Sequence, residues 1–140
     1  MITNPSAIHG RFEVNAKGPI LISRTWGPFN VECVLAYREQ VNRQIKSLAG
    51  QPWAMLATTI GSPLHTPDSM AEMIHTIQQQ RQLGRCATAI VFVDVDVESI
   101  MKSMLTSMYT QADEPFIFAA DEASATQWLE AQIANAKKSA

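Results

Sequence analysis

The sequence predicts an α/β fold: a single mixed, mostly parallel sheet with helices in the crossover connections, in the order β-β-α-β-α-β-α-β-α. Three observations carry this. The run from Cys86 to Val97, Cys-Ala-Thr-Ala-Ile-Val-Phe-Val-Asp-Val-Asp-Val, is apolar, rich in β-branched residues and preceded by Gly84, the mark of a strand covered on both faces. On either side of it, Met70, Met73, Ile74 and Ile77, then Met101, Met104, Leu105 and Met108, recur at the spacing of one helix face. Near the start, Arg11 to Val14 alternates, Asn15 to Gly18 supplies turn residues and Pro19 to Ser23 resumes the strand pattern, which reads as a hairpin.

Taken in order, Met1 to His9 reads as a flexible arm, and residues 10–140 as a single domain. After the hairpin, Asn30 is placed to cap a helix with Glu32 in its first turn and Val34, Val41, Ile45 and Leu48 along one stripe, ended by Gly50. Pro52 to Thr59 is a second buried strand, and Ile60 to His65 a loop broken by Gly61 and Pro63. Thr66 as cap and Pro67 in the first turn start a helix running to about Leu83. Beyond the central strand, Ser99 to about Gln111 is helical, Asp113-Glu114-Pro115 breaks it, and Phe116 to Ala119 is a last short strand. The final helix begins near Asp121, buries Ala125, Trp128, Leu129 and Ile133, and places Lys137 and Lys138 where the helix dipole favours cations. Helices between successive strands imply right-handed crossovers and parallel neighbours, with the hairpin adding one antiparallel edge.

Composition narrows the function. Of 140 residues, 46% are hydrophobic and 17% charged, with a net charge of -2; that suits one ordinary core and lacks the basic stripe of a nucleic-acid binder. The start, Met-Ile-Thr-Asn-Pro, has neither a basic region nor an apolar signal core, and no apolar run is long enough to span a bilayer, so a cytoplasmic location is expected. Cys33 and Cys86 lack Cys-x-x-Cys spacing and read as reduced, buried thiols.

Trp26-Gly27-Pro28-Phe29-Asn30-Val31-Glu32 at the first helix, the strand containing Trp53, and Asp121-Glu122-Ala123 through Trp128-Leu129 in the last helix resemble the STAS-like group of small bacterial proteins called SpoIIAA-like, whose fold is related to the CRAL-TRIO lipid-transfer domains. With the element order, the resemblance covers about Gly10 to Gln132. It implies the α/β fold above, and binding of nonpolar ligands between sheet and helices. In the anti-sigma-factor antagonists of this fold a serine in an Asp-Ser-Ser-Gly motif is phosphorylated as a switch. The corresponding stretch here, Gly61 to Ser69, ends Asp68-Ser69-Met70, without the second serine and the glycine.

Several groups of residues are candidates for chemistry. Met70, Met73, Met101, Met104 and Met108 are five of the seven methionines; with Ile74, Ile77 and Leu105 they would line a ligand groove under a helical lid, or fill an ordinary core, because Met adapts to several shapes. Ser62, Thr66 and Ser69 stand at a helix start, where they would cap the helix or, for Ser69 and Ser62, accept a phosphate. His65 with Ser62 and Asp68 has the residue types of a hydrolase triad, but no Gly-x-Ser-x-Gly elbow presents the serine. Glu72 and His75 have Glu-x-x-His spacing without a second copy. Asp94, Asp96 and Glu98 alternate with Val93, Val95 and Val97, so in an extended chain they share a face at the carboxyl end of the central strand, where they would hold a hard cation or cap the next helix. Trp26 and Phe29 are an interface candidate, for a partner subunit or a membrane surface, or else a staple holding the loop to its helix.

The reading these support is a non-enzymatic STAS-like binding domain, with no catalytic residue, cofactor or metal, that takes a small nonpolar molecule or lipid, or a regulatory partner protein, through its Met-bearing helices. A phospho-regulated switch at Ser69 or Ser62 is the alternative, and a small hydrolase stands behind both. Peripheral membrane contact and a homodimer through the hairpin edge or the Trp26 loop also follow as expectations, and nucleic acid does not.

Overall fold

The computed structural model describes residues 8–139, in which the elements follow in the predicted order: β1 (Arg11–Lys17), β2 (Ile20–Trp26), α1 (Val31–Ile45), β3 (Trp53–Ile60), α2 (Pro67–Arg81), β4 (Arg85–Val93), α3 (Glu98–Gln111), β5 (Phe116–Ala119) and α4 (Glu122–Lys138). Of the expected arm only Ile8 and His9 fall within the described residues, and the His9 N–H donates to Asn30 Oδ1 at 3.0 Å. The five strands form one sheet in chain order, with β1 antiparallel to β2 and every other pairing parallel.

That order fixes where the helices lie. Because β2 to β5 step across the sheet in one direction, right-handed crossovers send α1, α2 and α3 to the same face. There Val34, Tyr37, Val41 and Ile45 of α1, Met73 and Ile77 of α2, and Leu105, Met108 and Tyr109 of α3 pack on Leu21, Met55 and Ile90. The helix after the last strand is not a crossover, so α4 is free to take the opposite face. It sets Ala125, Leu129 and Ile133 against Ile20, Ala54, Leu56, Ala87, Ala89 and Val91; the alanines let it approach closely. Trp128, expected to be buried, is half-buried at the margin of this second core. Among the described residues no helix is long and apolar enough to cross a membrane.

Local chemistry starts three of the four helices. Asn30 Oδ1 accepts from Cys33 N at 3.1 Å, Thr66 Oγ1 from Ser69 N at 3.1 Å and Asp121 Oδ1 from Ser124 N at 2.8 Å, satisfying amides that helix starts leave orphaned. The α3 start has no side-chain cap and follows Val97, a β-branched residue in the left-handed region at φ 48°.

Several boundaries differ from the sequence reading, and the second strand runs past Ser23 to Trp26, so Trp26 ends β2 and does not belong to the loop expected there. The hairpin turns on Gly18 (φ 61°) and Pro19 alone, so Asn15, Ala16 and Lys17 extend β1 instead of forming a turn. The α1 helix gives way after Ile45 to a short 3-10 turn, Lys46–Leu48. The β4 strand stops at Val93 because the chain swings out at Asp94 (φ 50°), so Asp94, Asp96 and Glu98 are exposed turn and helix-start residues and share no strand face.

At the amino edge of the sheet the core contains an ion pair. Arg85, its side chain fully buried, donates from Nε to Glu114 Oε2 at 2.8 Å, and from its amino groups to Gln80 Oε1 and Thr88 Oγ1 at 2.7 Å each. Gln80 Nε2 passes the chain of bonds to Asn42 Oδ1 of α1 at 3.1 Å. Burial opposes the guanidinium charge, but the Glu114 carboxylate, joined by the Tyr109 and Tyr37 side chains, outweighs it and keeps the proton on Arg85. The network ties α1, α2, β4 and the segment leading into β5 together, and among the described residues none of its fully buried side-chain polar atoms lacks a hydrogen-bond partner.

Candidate functional site

The opposite, carboxyl edge is built differently. On the face beneath α1 to α3, the amino half of the sheet presents Leu21, Met55 and Thr88 side by side in register; one level on come Ser23, Ala57 and Ile90, and then Thr25, Thr59 and Phe92. In β2 and β3 large side chains therefore give way to a serine, an alanine and two threonines, and the floor of the core drops. Above it Cys33, Val34 and Tyr37 of α1, Met73 of α2, and Leu105 and Tyr109 of α3 form a roof, with Phe12, Phe29, Pro63 and His65 around the rim. A cavity of about 60 Å³ remains between them. Ala57, in the middle strand of the sheet, is only half-buried, while Leu56 and Thr58 beside it are buried. None of the lining residues carries a full charge at neutral pH.

Two loops strapped together hold the rim. Phe29 N donates to Leu64 O at 2.7 Å and Thr66 N returns a bond to Phe29 O at 3.2 Å, while the Phe29 and His65 rings lie 4.9 Å apart. Gly27 permits this closure, since a Cβ there would come within 1.9 Å of the Ser62 carbonyl oxygen.

The polar side chains of the lining are Ser23, Thr25, Cys33, Tyr37, Thr59, His65 and Tyr109, and His65, Ser23 and Cys33 are in the most constrained settings. His65 Nδ1 is 2.9 Å from Ser69 Oγ, which also lies 3.0 Å from Thr66 O and 3.3 Å from Phe29 O. If the serine hydrogen pointed at the imidazole, the serine lone pairs would face both carbonyl oxygens. The favoured arrangement has Ser69 donating to a carbonyl and His65 Nδ1–H donating to Ser69, which leaves Nε2 as an acceptor without a partner among the described residues. Burial pushes His65 down to about 4, so this ring is neutral at ordinary pH. Ser23 Oγ is fully buried and makes no hydrogen bond of good geometry among the described residues; its neighbour is the Tyr37 hydroxyl, which donates to Met55 Sδ at 3.5 Å. Burial pushes the Cys33 thiol up to about 11, so it is a small neutral group with little nucleophilic character.

Of the residues singled out in the sequence, Met73 and Leu105 line this pocket and Phe29 and His65 form its rim. Ile77, Met101 and Met108 are buried elsewhere in the core, and Met70, Ile74 and Met104 are half-buried at its margin. Ser69 is fully buried, and His65 meets Ser69 instead of Ser62. Asp68 and His75 are exposed, and Glu72 pairs with Arg38 of α1. Trp26 is half-buried under the Arg11 guanidinium, 3.9 Å from its ring. Among the described residues no group of three His, Cys, Asp or Glu is placed to hold a metal ion. Ser23, Ala57, Thr25 and Thr59 escaped the sequence reading; the available signal was small and hydroxylated residues at the ends of two otherwise apolar strands. Comparison with protein-family models gives no match, and no curated protein matches the chain.

Proposed function

We propose that the chain is a non-enzymatic binding domain of STAS-like type whose carboxyl-edge pocket takes a small, largely nonpolar molecule. The observation that carries this is the hollow over Ser23 and Ala57, open to solvent down to the middle strand and walled by apolar side chains. Ligands of α/β sheets favour this edge, and pockets of this kind join apolar walls to a few placed polar groups. The walls from α2 and α3, through Met73 and Leu105, support the idea that these helices act as a lid, since left-handed residues at Asp94, Val97 and Asp113 bracket α3. A non-enzymatic reading is supported by the weak nucleophiles: the Cys33 thiol holds its proton and Ser69 is committed to backbone carbonyls. Cys33 and Cys86 are free thiols packed on opposite sides of the sheet, which favours a reducing compartment such as the cytoplasm.

Native mass spectrometry of freshly purified protein, followed by thermal unfolding across a panel of small neutral compounds, tests the proposal. A ligand of the folded state must raise the transition by mass action. Ala57→Leu, which fills the hollow, should abolish the rise at a cost of about 1–3 kcal/mol of stability. No retained mass and no shift with any compound would remove the reading.

A further inference from the structure

We propose that the pocket's ligand is a neutral, compact molecule bearing a hydroxyl group, and that Ser23 Oγ and His65 Nε2 hold that hydroxyl; this rests on the pocket being a ligand site. Charge sets the first limit. No Lys, Arg, Asp or Glu lines the cavity, so an ion entering it would leave its hydration behind without compensation. Hydrogen-bonding capacity sets the second. A fully buried hydroxyl that makes no hydrogen bond of good geometry among the described residues, as at Ser23 beside Tyr37, is rare in folded proteins and destabilising, and Ser23 belongs to the lining of the cavity floor. Ser23 can both donate and accept, whereas His65 Nε2, with Nδ1–H committed to Ser69, can only accept. A ligand hydroxyl answers both, donating to the imidazole and accepting from the serine. An ether or a ketone has nothing to offer Nε2, and a carboxylate brings the excluded charge. Size sets the third: about 60 Å³ holds the hydroxyl and the carbons next to it, with the rest of the molecule in the mouth beside Phe12 and Phe29.

The test is an NMR titration of the full chain at pH 7 with phenol, toluene and benzoate, repeated on Ser23→Ala and Ala57→Leu. Phenol is expected to bind the wild-type chain at least five-fold more tightly than toluene, shifting the amides of Ser23, Ala57 and Leu105, and benzoate should not saturate. Ser23→Ala, which removes a hydroxyl without a hydrogen bond of good geometry and should fold at least as well as the wild type, is expected to erase the preference while toluene binding persists. Equal binding of phenol and toluene, or a preference that survives Ser23→Ala, would overturn the hydroxyl assignment and leave the pocket reading standing. Absence of all three ligands from the pocket, or binding unaffected by Ala57→Leu, would overturn both.

Discussion

His65 lies between two strapped loops, and its partial burial turns one imidazole into a pH-dependent element of stability. Its value in the fold, about 4, lies below the 6.5 of a free imidazole, so as pH falls the unfolded chain takes up the proton first. The contribution is therefore intact above about pH 6.5, declines as the pH drops towards 4, and levels off below that, for a total of about 3 kcal/mol. Urea midpoints measured from pH 8 to pH 4 should show this loss, and His65→Gln should flatten that part of the profile. His65 was visible in the sequence as a polar residue in a loop before a helix. Its neutrality was not, because that comes from burial in the folded chain, where even the ring packed against it belongs to Phe29, 36 positions earlier. Ser23 illustrates the same point, since a serine inside a strand reads as an ordinary polar position until Ala57 is known to sit beside it in register.

Elements differ in how strongly they are anchored. The segment before β5 carries Glu114, and Glu114→Ala would leave the Arg85 charge buried and unpaired; the expected cost is about 3–5 kcal/mol in equilibrium unfolding. Replacing both partners with apolar residues, Arg85→Met with Glu114→Leu, should cost less than the single change, because no stranded charge remains. The start of α3 is held more weakly. Val97 is exposed and in the left-handed region, at φ 48°, so Val97→Gly should raise stability by about 1 kcal/mol by relieving the clash of its Cβ. The helices and their caps were legible because Asn30, Thr66 and Asp121 act on amides three residues away. The end of β4 was not: Val93-Asp94-Val95-Asp96-Val97 alternates like a strand, and the only warning was that Asp94 belongs to a residue type that tolerates the left-handed turn.

Across the whole molecule, the sheet is covered by three helices on one face and one on the other, and the central strands β3 and β4 carry the most complete cover. Native-state hydrogen exchange should therefore find β3 and β4 slowest. Among the helices α3 should open at the lowest free energy, because it lacks a side-chain cap and is bracketed by left-handed residues. A pocket ligand should slow exchange in α3 more than in α4, and equal slowing of both would point to a global effect instead. The α/β class and the order of its elements could be read from periodicity alone, since those patterns are local. The hollow could not, because it exists only once β2 and β3 align Ser23 with Ala57 under Tyr37.

Tyr109 belongs to both ends of the fold: its ring closes the pocket, while its carbonyl accepts the Glu114 N–H at 3.0 Å. Glu114 thus anchors, through its side chain and its amide, both the buried ion pair and a residue of the cavity wall, so a change at that one position is expected to be felt at both edges of the sheet.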